Sequence, residues 1–209
     1  DGEGGVRARY AHEALRSLIK HLRSPEPLRL HVADDGSPNR YFVGAMKVWA
    51  EAAWRNRSTD SDAKRHGIGA SLNRALSMLE SDLWLYVTDD WVLDAPLDLR
   101  QAVGLIRNQG YEMVRIGPIH PGLTCSTMFN VELGYWLDID QFKGGYAFAT
   151  RPFVATKRFW QAHGPFIENA NAYEVEQDYC ERVAKSVEAR LAYTGVVTLD
   201  GPWRHIGEY

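Results

Sequence analysis

Leu83-Trp-Leu-Tyr-Val-Thr-Asp-Asp-Trp91 is an apolar run of strand type that ends in two adjacent carboxylates, Asp89 and Asp90. The same grammar appears about fifty residues earlier, in Leu28-Arg-Leu-His-Val-Ala-Asp-Asp-Gly-Ser37. Two strands that each deliver acidic residues to a turn point to one site, because ligands of open α/β sheets bind beyond the carboxyl ends of the strands. Carboxylates there suit a hard divalent cation carrying phosphates. The leading reading is a metal-assisted, nucleotide-handling enzyme.

Working outward, helices and strands alternate through the first part of the chain. Leu15, Leu18, Ile19 and Leu22 follow helical spacing over about residues 7–23, and Pro25 stops that helix. A strand over 28–33 follows, then a helix over about 40–55, with Phe42, Met46, Trp49 and Ala53 on one stripe. A helix over 69–80, the strand over 83–88, a helix near 98–108 and a strand near 111–117 continue the pattern. The alternation predicts an α/β fold with a mostly parallel, helix-flanked central sheet. Beyond residue 118 the chain turns rich in Gly, Pro, Thr and aromatics. Strands are expected near 128–133 and 146–150, helices near 156–162 and 174–190, and a last strand near 195–199.

The length of 209 residues fits a single domain, 1–209. Within it, about 1–117 reads as the nucleotide side and about 118–209 as the acceptor side. A parallel sheet ordinarily opens with a strand, whereas this chain opens with a helix, so the first strand is expected upstream. Net charge is 24 − 27 = −3, which gives no global electrostatic case for nucleic acid or anionic membrane. No apolar run approaches the roughly 20 residues of a bilayer span. Cys125 and Cys180 form no close-spaced metal pattern and no disulfide scaffold, and a cytoplasmic location is the default expectation.

Each motif carries a plain reading beside the chemical one. Asp34-Asp35-Gly36-Ser37 is a good turn, and also a strand-end carboxylate pair able to accept two hydrogen bonds from a ribose. Asp89 and Asp90 repel each other unless a cation or donor compensates. Lys64-Arg65-His66-Gly67 approaches a helix start, where backbone amides and Arg65 could meet phosphate. Glu174, Glu176 and Asp178 crowd another helix start, either as a solvated face or as the source of a general base. His205, in Trp203-Arg-His-Ile-Gly207, is a structural histidine or a metal ligand.

Taken in order, Asp-Asp-Gly-Ser (34–37), Arg-His-Gly-Ile-Gly-Ala-Ser-Leu-Asn (65–73), Thr-Asp-Asp-Trp (88–91), Glu-Val-Glu-Gln-Asp-Tyr-Cys-Glu-Arg (174–182) and Arg-His-Ile-Gly (204–207) resemble the family 2 glycosyltransferases with the A-type, Rossmann-like nucleotide-diphospho-sugar transferase fold. The resemblance covers about residues 10–207. It implies inverting, metal-dependent transfer of a sugar from a nucleotide-diphosphate donor, such as a UDP-sugar, to an acceptor hydroxyl. It places Asp34, Asp35, Arg65 and Asp89 at the donor, and Asp90 and His205 on a manganese or magnesium ion. Glu176 falls at the base position, with Asp178 and Glu174 as substitutes. The chain differs from the usual pattern at Thr88, Arg65 and Glu176, where the family more often carries Asp, Asn and Asp.

The acceptor is open: a saccharide, a protein, or a modified nucleobase in DNA approached by Arg55, Arg57, Lys64 and Arg65. Phe129, Tyr135, Trp136, Phe142, Tyr146 and Phe148 are either core or a stacking surface. Two rival functions remain, a sugar-phosphate nucleotidyltransferase and a non-catalytic nucleotide-sugar-binding module.

Overall fold

The computed structural model describes residues 3–35, 57–61, 66–118, 124–141, 148–186, 189–194 and 202–207. The helix expected over 40–55, the strand expected over 195–199, and Arg65 lie outside them.

Helix α1 (Glu3–His21) is amphipathic, and Lys20 and His21 in its last turn complement the helix dipole. Its inward face is Tyr10, Ala11, Ala14, Ser17 and Leu18. Leu15 and Ile19 are only half-buried, so small residues rather than the leucine stripe make the close contact. Strands β1 (Leu22–Arg23), β2 (Leu30–Asp34) and β3 (Arg57–Ser61) follow, with β2 and β3 paired in parallel. Helix α2 (Gly67–Met78) leads to β4 (Leu83–Tyr86), β5 (Trp91–Leu93) and β6 (Leu97–Asp98). Helix α3 (Arg100–Gln109) ends on Gly110, whose left-handed conformation (φ 73°) suits a residue without a Cβ. Then come β7 (Met113–Arg115), the hairpin β8 (Thr124–Asn130) and β9 (Gly134–Gln141), and β10 (Phe153–Thr156). Helices α4 (Lys157–His163) and α5 (Ala172–Ala184) precede β11 (Leu191–Tyr193) and β12 (Trp203–His205).

The central sheet has the order β4-β10-β7-β11-β9-β8. Strands β4, β7, β11 and β8 run one way, and β10 and β9 run against them. Its middle strands are buried on both faces. Met113, Phe153, Ala155, Leu191 and Tyr193 point into one core with α2 and α5, whereas Val114, Val154 and Ala192 point into a second core with α1 and α3. Alternation along each strand therefore builds the three layers of an α/β fold.

Two expected strands differ. A sheet strand lies at 153–156, directly after Pro152, which has no N–H to pair; of the strand expected over 146–150, residues 148–150 are not in a strand and the rest lie outside the described residues. The Pro152 carbonyl accepts from Ile116 N at 3.1 Å and Gly117 N at 3.0 Å. The expected strand over 128–133 is split by a turn into the longer hairpin β8–β9. Helix α5 stops at Ala184 rather than continuing to 190. No helix among the described residues is long and apolar enough to cross a membrane.

Candidate functional site

Strand β4 leaves the sheet after Tyr86, two residues before the expected end, and Asp89-Asp90 then occupy a turn closed by Trp91 N on Thr88 O at 3.3 Å. The chain re-enters as β5, which pairs antiparallel with β12 and sets Trp91 opposite His205. Ile206 N donates to Asp90 O at 2.8 Å, so backbone bonds fix β12 against the acidic turn from both sides. His205 Nε2 lies 3.2 Å from Asp90 Oδ2, and Thr88 Oγ1 donates to Asp90 Oδ1 at 2.6 Å. Thr88, which opens the Thr-Asp-Asp-Trp motif, thus orients the carboxylate two residues on. One oxygen of Asp90 is held and the other faces the histidine.

Gly207 makes room at this pair. A Cβ there would sit 3.1 Å from Asp90 Oδ2, 3.1 Å from His205 Nε2 and 2.9 Å from His205 Cε1. The space between the oxygen and nitrogen donors and the Gly207 backbone is thus a cradle that a single carbon would fill. No group of three His, Cys, Asp or Glu side chains that could hold a metal is present among the described residues. Asp90 and His205 offer one oxygen and one nitrogen donor, the residues that would hold a manganese or magnesium ion if its shell were completed by phosphate and water.

Helix α1 supplies a cation. Arg7 Nη1 lies 3.3 Å from Asp89 Oδ1 and 3.8 Å from Asp90 Oδ2. The helix is seated by Ser17, whose hydroxyl accepts from Leu93 N at 2.9 Å and donates to Ala14 O at 2.7 Å. Arg204 braces the far side, bonding Asp94 at 2.7 Å and Glu13 at 3.1 Å. The guanidinium holds the Asp94 carboxyl below the usual range.

Helix α5 brings the third carboxylate. Its start is a capping box: Asn171 Oδ1 accepts from Glu174 N at 3.0 Å, and Glu174 Oε2 accepts from Asn171 N at 2.9 Å. Glu174 is therefore a cap. Asp178 pairs with Arg182 one turn along, and Arg182 also bonds His163 O at 2.5 Å and Pro165 O at 2.8 Å. Glu176, two residues from either and so on the other side of the helix, is half-buried. Its Oε1 accepts from Thr150 N at 2.6 Å and from Thr150 Oγ1.

Both sources of acid reach Tyr86 electrostatically. Burial pushes its hydroxyl far above the usual range, and Asp90, Glu176 and Asp89 push it further in the same direction. The Tyr86 ring stacks on Phe153 at 5.2 Å. Arg115 is buried and lies 5.0 Å from the Tyr193 ring. Burial lowers its pKa, and Glu176 is among the groups that favour its charge.

Strand β2 ends differently from the simplest reading of its motif. Asp34 is buried, and its carbonyl accepts from Arg74 Nη2 at 3.1 Å. The Asp35 carboxylate accepts from His66 N at 2.8 Å and Gly67 N at 3.0 Å. The amides expected to meet phosphate at the start of α2 are thus occupied by an anion from the chain itself. Gly67 there has φ 85° and closes against Ala170 O, 3.0 Å from where a Cβ would stand. Of the aromatic group, Trp136 and Phe148 are core, Phe129 and Tyr135 form an exposed pair 4.7 Å apart, and Phe142 and Tyr146 lie outside the described residues.

Sequence reasoning missed Arg7, Tyr86, Thr150 and Gly207. Only Gly207 carried a signal, as the glycine that ends Arg-His-Ile-Gly.

The fold has known counterparts. The crystal structure of S. aureus TarS 1-349 superposes with a TM-score of 0.64 at 15% identity, covering 90% of this chain and 55% of that one. The mannosyltransferase PcManGT from Pyrobaculum calidifontis, in complex with GDP-Man and Mn2+, gives 0.62 at 12% identity, covering 91% and 52%. The UDP complex of S. aureus TarS 1-349 gives 0.59 at 16% identity, covering 90% and 58%. The chain spans little more than half the length of these structures. No curated protein matches its sequence significantly. A family model described as glycosyl transferase family 2 matches residues 6–160, which is most of the chain. With the strand-end acids, the acidic helix and the A-type sheet in place, the chain belongs to glycosyl transferase family 2.

Proposed function

We propose that this domain transfers a sugar from a nucleoside-diphosphate donor to an acceptor hydroxyl, with inversion at the anomeric carbon. The observation that carries the reading is the strand-end acidic turn with His205 Nε2 3.2 Å from Asp90 Oδ2, together with the electrostatic reach of Asp90, Glu176 and Asp89 alike to the Tyr86 hydroxyl. Donor-side and base-side carboxylates from distant stretches of chain then share one site. The solved structures of similar fold include one with UDP and one with GDP-Man and Mn2+, which supports a uridine or guanosine diphosphate sugar as donor.

Asp34 and Asp35 border the nucleotide, with Arg65 just before the amides that Asp35 caps. Asp89, balanced by Arg7, lies toward the donor ribose or sugar. Asp90 and His205 would hold manganese or magnesium, which when bound supplies positive charge against the leaving diphosphate. Glu176 takes the proton of the acceptor hydroxyl as that oxygen attacks the anomeric carbon from the face opposite the diphosphate. Asp178, tied to Arg182, steadies the helix rather than the proton. The exposed Phe129–Tyr135 pair is suited to stack on a sugar ring or a base, so saccharide, protein and modified nucleobase acceptors all stay in view.

The test is a thermal-unfolding panel of UDP, GDP, UDP-glucose, UDP-N-acetylglucosamine and GDP-mannose, each with manganese and with chelator. Stabilisation follows RT ln(1 + [L]/Kd). A manganese-dependent rise with one nucleotide series is expected. Equal, flat curves for every ligand would overturn the reading.

A further inference from the structure

We propose that Thr150 is a positioning residue that clamps the general base. This rests on Glu176 being that base. Thr150 sits two residues before Pro152, in the segment that leads into β10, and both of its donors, the backbone N–H and the hydroxyl, point to the same atom, Oε1 of Glu176. The other oxygen, Oε2, has no hydrogen-bond partner among the described residues. The clamp is therefore asymmetric: one oxygen is fixed and the other is presented.

The asymmetry answers a chemical need. Glutamate carries one more rotatable bond than aspartate, so an unheld carboxylate at this position would sample many orientations. Proton abstraction works only within hydrogen-bond reach of the hydroxyl, and a displacement of about 1 Å can cost about 100-fold in rate. Two donors on Oε1 fix the torsion that aims Oε2. The backbone N–H sets the height of the carboxylate, and the hydroxyl sets its rotation. In the transfer step the acceptor O–H proton moves to Oε2. The acceptor oxygen forms its bond to the anomeric carbon as the bond to the diphosphate oxygen breaks, and the nucleoside diphosphate leaves with that electron pair. Oε1 keeps both bonds to Thr150 throughout, so the clamp is not remade between cycles.

The experiment compares the 209-residue chain with Thr150→Val, Thr150→Ser and Glu176→Gln. Each is assayed with manganese for release of nucleoside diphosphate from UDP-glucose, UDP-N-acetylglucosamine and GDP-mannose, with water as acceptor. Valine keeps the shape and the backbone N–H but removes the hydroxyl donor. A hydrogen bond to a charged group is worth about tenfold in rate, so kcat of Thr150→Val should fall about tenfold with the donor KM unchanged, and Thr150→Ser should restore most of it. Thr150→Ala stands in if the valine variant unfolds early. Wild-type kcat in Thr150→Val beside an inactive Glu176→Gln would overturn the clamp and leave the base standing. A raised donor KM that serine does not rescue would also overturn it, as a merely structural role. Full activity in Glu176→Gln, or no release by the wild-type chain from any donor, would overturn the reading beneath it.

Discussion

Gly207→Ala isolates the Asp90–His205 cradle. The added Cβ would stand 3.1 Å from Asp90 Oδ2 and His205 Nε2 and 2.9 Å from His205 Cε1, whereas unstrained carbon contacts lie at about 3.5–4.0 Å. The histidine ring or the carboxylate must therefore retreat by about half an ångström. Thr88 Oγ1 at 2.6 Å ties Asp90 from its other side, and β5–β12 pairing ties the backbone of His205, so neither group moves freely. The methyl also occupies the space in which a cation within about 2.0–2.2 Å of both donors would sit. Disturbing the groups that aim metal ligands typically costs 10–100-fold in affinity, which is about 1.4–2.7 kcal/mol. The assay is titration calorimetry of manganese into the protein saturated with UDP, with Asp90→Ala as the reference for loss of the site. Thermal unfolding in chelator checks that the fold is intact. Manganese affinity in Gly207→Ala equal to wild type, beside clear loss in Asp90→Ala, would refute the cradle.

Three further outcomes follow from other contacts. Asp35→Ala removes the anion on the His66 and Gly67 amides at the start of α2 and should destabilise the fold by about 0.5–2 kcal/mol in urea unfolding; unchanged stability would show that the contact is idle. Ser17→Ala strips the buried Leu93 N–H of its acceptor and should cost about 1–3 kcal/mol, read by the same method; a loss below the error of the measurement would remove Ser17 as the seat of α1. His163 is buried, and burial, aided by Arg182, holds its pKa below the ordinary 6.5. The unfolded chain then binds the proton more readily, so this contribution is complete above about pH 6.5 and is lost as pH falls through that value toward the folded pKa. His163→Phe should therefore flatten the fall in Tm between pH 7.5 and 5.5; an unchanged slope would place the acid sensitivity elsewhere.

Much of this architecture was legible because it is local. The period of α1 and the run into β4 each depend on residues within a turn or two of one another. The site was partly legible for a different reason. Acidic pairs at strand ends announce themselves by type, and the structure sets His205 against Asp90 beside Asp89. Choosing among Glu174, Glu176 and Asp178 was beyond the sequence. The choice depends on what each carboxylate meets across space: an amide at the cap, a hydroxyl from the loop before β10, and an arginine one turn on. The motif around Asp35 shows the converse. A carboxylate and a set of helix-start amides each looked ready for a ligand, and the fold brings them to each other.

By itself the sequence determined the alternation of helices and strands, the acidic strand ends and the family, because periodicity and residue type survive without a partner in view. Tertiary structure alone decided the rest. It gave β4, β7, β11 and β8 one direction with β10 and β9 opposed. It laid Arg7 over Asp89 from the far end of the chain, and it put Gly207 where a side chain would close the space between Asp90 and His205. These are relations between residues up to 117 positions apart in sequence (207 − 90), set by sheet pairing and layer packing, and no local pattern carries them.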